Sequence, residues 1–93
     1  MYQLIPTTQF KKDLKKFKRN PKDFHLVTQL LKVLQAKGTA GIPNAMKPHQ
    51  LKGVYKDNWE CHIKPDLLII WYQIESPQII KLIRLGSHSD LFI

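Results

Sequence analysis

Five side chains in the C-terminal half have the chemical types needed to move protons at a phosphate. They are His49, His62, Asp66, Arg84 and His88. Imidazoles titrate near neutral pH, so two histidines can supply a general base and a general acid. A guanidinium can hold phosphate oxygens and stabilise extra negative charge on them. These residue types suit the cleavage of RNA, in which the 2′-hydroxyl loses a proton and the 5′-oxygen gains one.

Zinc binding and cysteine catalysis fit the same residues less well. The steps from His49 to His62, Asp66 and His88 are 13, 4 and 22 residues, which match no compact zinc motif. The basic surroundings also oppose a cation. Cys61 and His62 alternate to opposite sides of one predicted strand, so His62 cannot act as the general base that activates the thiol of Cys61. We therefore expect no metal and no cofactor.

Two helices are predicted in the N-terminal half. The first begins at Thr7 or Thr8 and runs to about Arg19. The second is capped by Asn20 and ends at Gly38. Apolar residues recur on both at spacings of three and four, so both stripes should face a common core. The inward residues are Phe10, Leu14 and Phe17 on the first helix and Leu26 or Val27, Leu30, Leu31 and Leu34 on the second.

Four strands are predicted to complete an α+β fold. The links "PD" and "SPQ" between the last three are short enough for hairpins, so the sheet should be largely antiparallel, with both helices packed on one face. "LLIIWYQI" is apolar on both sides and should be the central strand. At 93 residues the chain should form a single domain, residues 1–93. The predicted strands are 2–5, 59–64, 67–75 and 79–85.

Alternation along the predicted strands assigns the polar side chains to faces. Glu60 and His62 should lie on the polar face, opposite Cys61. Arg84 should share a face with Ile80 and Leu82, at the point where the last strand ends. His88 should then meet His62 and Asp66 beyond that strand.

The excess of positive charge is concentrated in the first half of the chain. Fifteen Lys and Arg against seven Asp and Glu give a net charge of +8. Residues 1–24 hold seven basic and two acidic side chains, residues 25–52 four and none, and residues 53–93 four and five. Nucleic acid and an acidic protein are the partners that such a surface attracts. A solvated helix face that maintains solubility would also explain it.

The sequence predicts neither a membrane span nor a secretory signal. The longest apolar run, 67–72, is far shorter than the roughly 18 to 20 residues of a membrane span. The N-terminus lacks the pattern of a secretory signal. The one cysteine, Cys61, suits a reducing compartment. We therefore expect a cytoplasmic protein.

Three segments, "HQLKG", "WECHIKPDLLIIWY" and "IRLGSHSDLF", resemble the YafQ branch of the RelE/ParE superfamily of bacterial toxins from toxin-antitoxin systems. The order of elements agrees over nearly the whole chain, and the match is most specific from Pro48 to Phe92. The resemblance implies a RelE/ParE-like, microbial RNase-like fold. It also implies an mRNA interferase, a ribosome-dependent endoribonuclease that cuts translated mRNA on the bacterial 70S ribosome. The implied partner is a cognate antitoxin, which carries its own DNA-binding domain, so that this chain contacts DNA only indirectly and contacts no membrane.

Carried over to this sequence, the family pattern gives each candidate residue a role. His88 and Asp66 are the expected proton-transfer groups, supported by His49 and His62. Arg84 would stabilise the charge of the transition state. Which group is the base and which the acid stays open.

Further residues follow from the same resemblance. Phe92 would stack on a base or position it. Leu67 stands where some relatives have an aromatic residue, which removes a stacking role there and puts the codon preference in doubt. The basic residues expected to bind ribosomal RNA are Lys11, Lys12, Lys15, Lys16, Lys18, Arg19 and Lys52.

Other interpretations of these residues remain open. Arg84 could form an ordinary ion pair with Asp90 or Glu75, and Asp66 could be a simple turn residue. The same fold could also serve a ParE-like toxin that binds DNA gyrase, or a binding module without catalysis. The several histidines favour the nuclease, because a pure binding protein has no need of paired titratable groups.

Overall fold

Three helices and five strands occur within residues 1–92, the part of the chain that the computed structural model describes. Short 3-10 turns extend both long helices and lie on either side of the second strand. In chain order the elements are β1 (Gln3–Pro6), α1 (Thr8–Lys16), α2 (Pro21–Lys37), β2 (His49–Gln50), β3 (Trp59–Lys64), β4 (Leu67–Ile74), β5 (Ile79–Gly86) and α3 (His88–Leu91).

The helix boundaries follow local capping chemistry. The hydroxyl of Thr7 accepts a hydrogen bond from the N–H of Phe10, and Asn20 does the same for Asp23. Gly38 ends α2 with a φ of +65°, and a Cβ there would lie only 2.7 Å from the ring of Tyr2. Helix α1 ends earlier than expected, and a single 3-10 turn completes the predicted first helix. No helix within residues 1–92 is both long and apolar enough to cross a bilayer.

The sheet has the order β1-β5-β4-β3-β2, with β4 at its centre as predicted. The pairs β2–β3, β3–β4 and β4–β5 are antiparallel, and β1 pairs with β5 in parallel. The expectation of a largely antiparallel sheet is therefore confirmed. Strand β2 was not predicted, because two residues carry no periodic pattern.

The two faces of the sheet bury different layers. On the inner face α1 and α2 cover the main core, in which Val27, Leu34, Trp71 and Ile80 are completely buried. On the outer face Leu68 and Ile70 are buried beneath Leu91 of α3 and the loop of residues 51–58. The apolar residues on both sides of "LLIIWYQI" predict that this strand is covered on both faces over part of its length, and the two layers confirm that prediction. The outer cover also reaches a polar side chain of that face, since the hydroxyl of Tyr55 accepts a hydrogen bond of 3.5 Å from Arg84.

A bulge in β5 changes the direction of Arg84. The β4–β5 register pairs Trp71 with Leu82 but Ile70 with Arg84, so Ile83 is an extra residue. Paired residues point to the same side of a sheet, and Ile70 belongs to the outer layer. The prediction that Arg84 shares the inner face with Ile80 and Leu82 is therefore wrong.

Candidate functional site

One row of paired residues crosses the outer face of the sheet. The register joins His49 of β2 to Glu60 of β3, Glu60 to Ile70 of β4, and Ile70 to Arg84 of β5. Neighbouring strands lie about 4.8 Å apart, so the backbones of His49 and Arg84 are separated by about 14 Å. The candidate residues of the last four strands therefore lie on one surface.

A buried carboxylate links two of the histidines. Glu60 is only 4% exposed, and its Oε1 lies 3.3 Å from Nε2 of His49 and 3.7 Å from Nε2 of His62. Its Oε2 is buried without a hydrogen-bond partner in the described residues. Nδ1 of His49 lies 2.7 Å from the carbonyl oxygen of Lys47, which fixes the plane of that ring.

Glu60 lies on the same side of β3 as His62, as predicted, but it is buried there. Alternation in β3 directs this side chain toward the outer face, where its contacts are with His49 and His62. An unpaired carboxylate is costly to bury, so the contacts with His49 and His62 are its main compensation. Sequence alone did not single out Glu60, although its position two residues before His62 on one face was a usable signal.

Asp66 and His88 are brought together as expected, but through the backbone. Oδ1 of Asp66 accepts a hydrogen bond of 3.1 Å from the N–H of His88, at the first residue of α3. Ser87 and Asp90 form a capping box that fixes the same turn. Asp66 is thus both a turn residue and an anchor for His88.

The ring of His88 lies against Phe92 and not against His62. The centroids of His88 and Phe92 are 5.0 Å apart at an interplanar angle of 39°. His62 instead faces Glu60. It pairs with Leu68, which pairs with Gly86, so two strand spacings, about 10 Å, separate the His62 backbone from the end of β5. The site therefore has two groups of titratable side chains, which are separated by an apolar strip formed by Leu68 and Ile70 of β4.

Arg84 has a partner that neither predicted ion pair included. Its Nε and Nη2 donate hydrogen bonds to the carboxylate of Asp13, at 2.8 and 3.3 Å, and its Nη1 donates one to the hydroxyl of Tyr55 at 3.5 Å. Asp13 also accepts hydrogen bonds from Leu85 N–H and Gln9. Helix α1 lies beside the part of β5 that extends past β1. There the carboxylate of Asp13 accepts the hydrogen bond of Leu85 N–H, which has no neighbouring strand to pair with.

The electrostatics of Asp13 match this geometry. Burial alone would raise the pKa of Asp13, which is 1% exposed. The hydrogen bonds from Arg84, Leu85 and Gln9 and the charge of Arg84 outweigh burial, so the pKa lies below its usual value. The hydrogen bond to Asp13, together with a smaller contribution from Tyr55, raises the pKa of Arg84, which stays charged.

Cys61 is unsuited to covalent chemistry. It is fully buried in the inner core, and burial, with a smaller effect of the charge of Glu60, raises the pKa of its thiol to about 12. A thiol without access to solvent or a base is not a nucleophile at neutral pH. Residues 1–92 contain no group of three or more His, Cys, Asp or Glu arranged to hold a metal ion.

The basic residues predicted to bind RNA are all exposed. Six of them lie on α1 and the turn after it, away from the buried Phe10 and Asp13. Lys52 lies on the covering loop, and it lines a cleft together with Arg84. The positive charge therefore lies mainly on α1 and the turn after it, and Lys52 adds a separate positive charge on the loop of residues 51–58.

Comparison with known proteins identifies the family. Residues 2–93 match the model of the family described as "Bacterial toxin of type II toxin-antitoxin system, YafQ". The mRNA interferase toxin YafQ of Escherichia coli K12 is 29% identical over 84 residues, which are 90% of this chain and 88% of that protein.

Solved structures agree over the whole length. A metal-bound toxin from Helicobacter pylori is 38% identical with a TM-score of 0.79, over 99% of this chain and all of that one. A chain of the E. coli DinJ-YafQ complex is 26% identical with a TM-score of 0.83, and both chains are covered completely. This chain therefore belongs to the YafQ family of bacterial toxins from type II toxin-antitoxin systems.

Proposed function

We propose that this chain is a ribosome-dependent endoribonuclease that cuts translated mRNA in the bacterial cytoplasm. The observation that carries the proposal is the arrangement on the outer face, where Arg84 shares one surface with two groups of titratable side chains. One group is His49, Glu60 and His62, and the other is Asp66 with His88. The name of the E. coli relative, an mRNA interferase toxin, supports the same activity.

The chemistry requires groups on opposite sides of one phosphorus atom. A base removes the proton of the 2′-hydroxyl, the 2′-oxygen bonds to phosphorus, and the 5′-oxygen leaves with a proton from an acid. The leaving and attacking oxygens lie in line, so one residue cannot easily serve both. A phosphate above the apolar strip would have the histidine pair on one side and His88 on the other. The products are a 2′,3′-cyclic phosphate and a free 5′-hydroxyl.

The remaining residues hold this arrangement in place. Arg84 would neutralise the charge that develops on the nonbridging oxygens, in an orientation set by Asp13 and Tyr55. Asp66 would position His88 by its hydrogen bond to the backbone. Phe92, in contact with the ring of His88, would orient the ring and a neighbouring base. We propose that the exposed basic residues of α1 and Lys52 bind ribosomal RNA.

A gyrase-binding toxin is the principal alternative on this fold. It would need neither the Asp66–His88 anchor nor a carboxylate held between two histidines. We also propose a cognate antitoxin as the regulatory partner, since the E. coli relative crystallised in a complex named DinJ-YafQ. DNA would then be contacted through that antitoxin.

Cleavage of mRNA on purified 70S ribosomes tests the proposal. We expect wild-type protein to cut within the codon in the A site, and His88→Ala and His62→Ala to cut at least about 100-fold more slowly, since a general acid or base contributes that much. His25→Ala, an exposed histidine on α2, is the matched control and should keep full activity. Intact mRNA together with altered plasmid supercoiling would favour the gyrase alternative.

A sulfur substitution then separates the acid from the base. Replacing the 5′-bridging oxygen by sulfur gives a leaving group that needs no proton. We expect this substrate to restore the rate of only one of the two variants, His62→Ala or His88→Ala, and that residue is the acid. Rescue of both variants, or of neither, would contradict the assignment of acid and base to opposite sides.

A further inference from the structure

A cleft lies at the edge of the sheet, beside His62 and on the side away from β4 and β5. It has a volume of about 620 Å³ and is lined by residues 45–47 and 62–65. Strand β2 pairs with β3 only up to Glu60, so beyond that point this edge of β3 faces residues 45–47 instead of a strand. Because β2 and β3 are antiparallel, the chain that precedes His49 runs past this edge and forms the second wall of the cleft.

We propose that Lys47 and Lys64 bind a second phosphate of the mRNA, the phosphate that neighbours the scissile one on the side of His62. The inference rests on the proposed nuclease function and extends it to a contact outside the reacting centre. His62 contacts Glu60 on the outer face and also lines the cleft, so an RNA strand that passes the histidine pair reaches the cleft next. Neither lysine takes part in the proton transfer.

The backbone of Lys47 has a conformation that glycine and asparagine adopt more readily than lysine. Its φ is +55° and its ψ is +54°, in the left-handed region. This turn directs the carbonyl oxygen of Lys47 to Nδ1 of His49, 2.7 Å away. The side chain is exposed, and the ion pairs found within residues 1–92 do not include it. The ammonium group of Lys47 is therefore available to an anion in the cleft.

Lys64 is held in place by an ion pair. Its Nζ lies 2.7 Å from Oδ1 of Asp23 in α2, and its side chain is still 45% exposed. An irregularity in β3 between His62 and Lys64 accompanies this direction toward α2. An ammonium group has three N–H donors, so two remain for a phosphate. A lysine that is already ordered loses less side-chain freedom when it binds an anion.

The lining of the cleft suits a phosphodiester strand. Within the part of the chain that the structure describes, no carboxylate lines the cleft. Asp23, which lies outside the lining, offsets the charge of Lys64, so the charge of Lys47 remains in excess. The other lining residues are apolar apart from His62, and a ribose can pack on them while its phosphate contacts the lysines. The apolar residues are Ala45, Met46, Ile63 and Pro65.

Neutralising single phosphates of the mRNA tests the contact. The probe is a 70S ribosome carrying mRNA with a 2′-deoxy residue at the cleavage position, so that binding is measured without cleavage. A methylphosphonate, which carries no charge, then replaces the neighbouring phosphate on either the 5′ side or the 3′ side. The phosphate bound by the lysines is the one whose replacement weakens wild-type binding about threefold, the effect of one exposed ion pair, and whose effect depends on Lys47.

Two lysine variants identify that phosphate. Lys47→Asn removes the ammonium group and keeps a residue type that accepts the left-handed backbone. It should weaken binding to unmodified mRNA about threefold and should lose nothing further on the mRNA whose coupled phosphate is neutral. Lys64→Gln should behave in the same way, and Lys64→Arg, which keeps the ion pair with Asp23, should restore binding. Lys81→Gln, at an exposed position of β5, is the matched control and should bind each mRNA as wild type does.

The side on which the coupled phosphate lies follows from the role of His62. The attacking 2′-oxygen belongs to the nucleotide on the 5′ side of the scissile phosphate, and the leaving 5′-oxygen belongs to the nucleotide on the 3′ side. If the sulfur substitution identifies His62 as the base, Lys47 should couple to the 5′ neighbour; if it identifies His62 as the acid, Lys47 should couple to the 3′ neighbour. Coupling to the opposite neighbour would overturn the proposal. Weaker binding of Lys47→Asn without coupling to either phosphate would also overturn it and would assign the lysine to ribosomal RNA.

The two proposals fail in different ways. If wild-type protein cuts the all-ribose mRNA but the lysines and the neighbouring phosphates act independently, the second phosphate contact is wrong and the nuclease stands. If wild-type protein cuts no mRNA on ribosomes, both are wrong.

Discussion

The ion pair between Asp13 and Arg84 gives the sharpest single test of how α1 supports the site. Asp13→Ala removes every acceptor of the carboxylate at once. Arg84 then keeps only the 3.5 Å contact with Tyr55, and the N–H of Leu85 loses its acceptor in a buried position. Asp13→Asn keeps the shape but leaves one oxygen for four donors, namely Nε and Nη2 of Arg84, the N–H of Leu85 and the amide of Gln9, and it adds an amide N–H facing them.

The structure sets the expected magnitude. Removing one partner of a buried ion pair costs about 3 to 5 kcal/mol. The Arg84 side chain is 22% exposed and can regain some water, so we expect the lower end, about 3 kcal/mol, for Asp13→Ala. In a domain of this size that lowers Tm by roughly 12 to 24 °C. Asp13→Asn should lie between this variant and wild type.

The pH dependence has a definite sign. The folded-state pKa of Asp13 is lower than the unfolded value of about 3.9. Its contribution is therefore complete above that pH and is lost as pH falls through the lower folded-state value. The difference in unfolding free energy between wild type and Asp13→Asn should shrink below about pH 4.

Thermal and denaturant unfolding measure the loss of stability and its dependence on pH. Cleavage of mRNA on ribosomes at 25 °C measures whether activity falls when Arg84 is no longer held by Asp13. Asp57→Asn is a matched control, because Asp57 is exposed at a φ of +69°, a conformation that asparagine also accepts. A Tm for Asp13→Ala within about 3 °C of wild type would refute the energetic reasoning. Unchanged cleavage by a folded Asp13→Asn protein would refute its role in positioning Arg84.

Two further predictions concern the buried thiol and the basic helix. Because burial raises the pKa of Cys61 to about 12, iodoacetamide at pH 8 should leave the folded protein unlabelled and label it fully in denaturant; rapid native labelling would contradict this. Replacing Lys11 and Lys15 together by glutamine should reduce the slope of log ribosome affinity against log salt by about 2, one unit for each lost phosphate contact. Lys37→Gln, at the end of α2, should leave that slope unchanged.

Local patterns in the sequence account for most of the elements. The caps at Thr7 and Asn20, the glycine after α2 and the two hairpin links each act over a few residues, so they are readable without tertiary structure. The central position of β4 also follows from its own composition. The α+β fold was therefore predictable, including the face on which the helices pack.

The face to which Arg84 points was not predictable, because it depends on the register in which β5 pairs with β4. A single extra residue, Ile83, reverses the face of everything after it in β5. Simple alternation assigned Arg84 to the inner core side. In the same way β2 exists only through its pairing with β3, so the placement of His49 beside Glu60 has no local signal.

The burial of Asp13 could be inferred from helical periodicity, although not from alternation along strands. It occupies the apolar stripe of α1, three residues after Phe10 and four before Phe17, where a carboxylate should be paired if it is buried. Its partner lies 71 residues away in sequence. Periodicity can therefore indicate that a buried acid needs a cation, but the identity of the cation requires the fold.

Glu60 departs most clearly from what stability alone would favour. A carboxylate that is 4% exposed, with one oxygen that has no hydrogen-bond partner among residues 1–92, is less favourable at this position than an apolar side chain of similar size. Its contacts are with two histidines that are themselves partly exposed, so burial of Glu60 orders side chains that remain accessible to a substrate. Sites where a fold accepts such a cost are commonly functional. This cost therefore supports the proposal that the outer face of the sheet serves proton transfer.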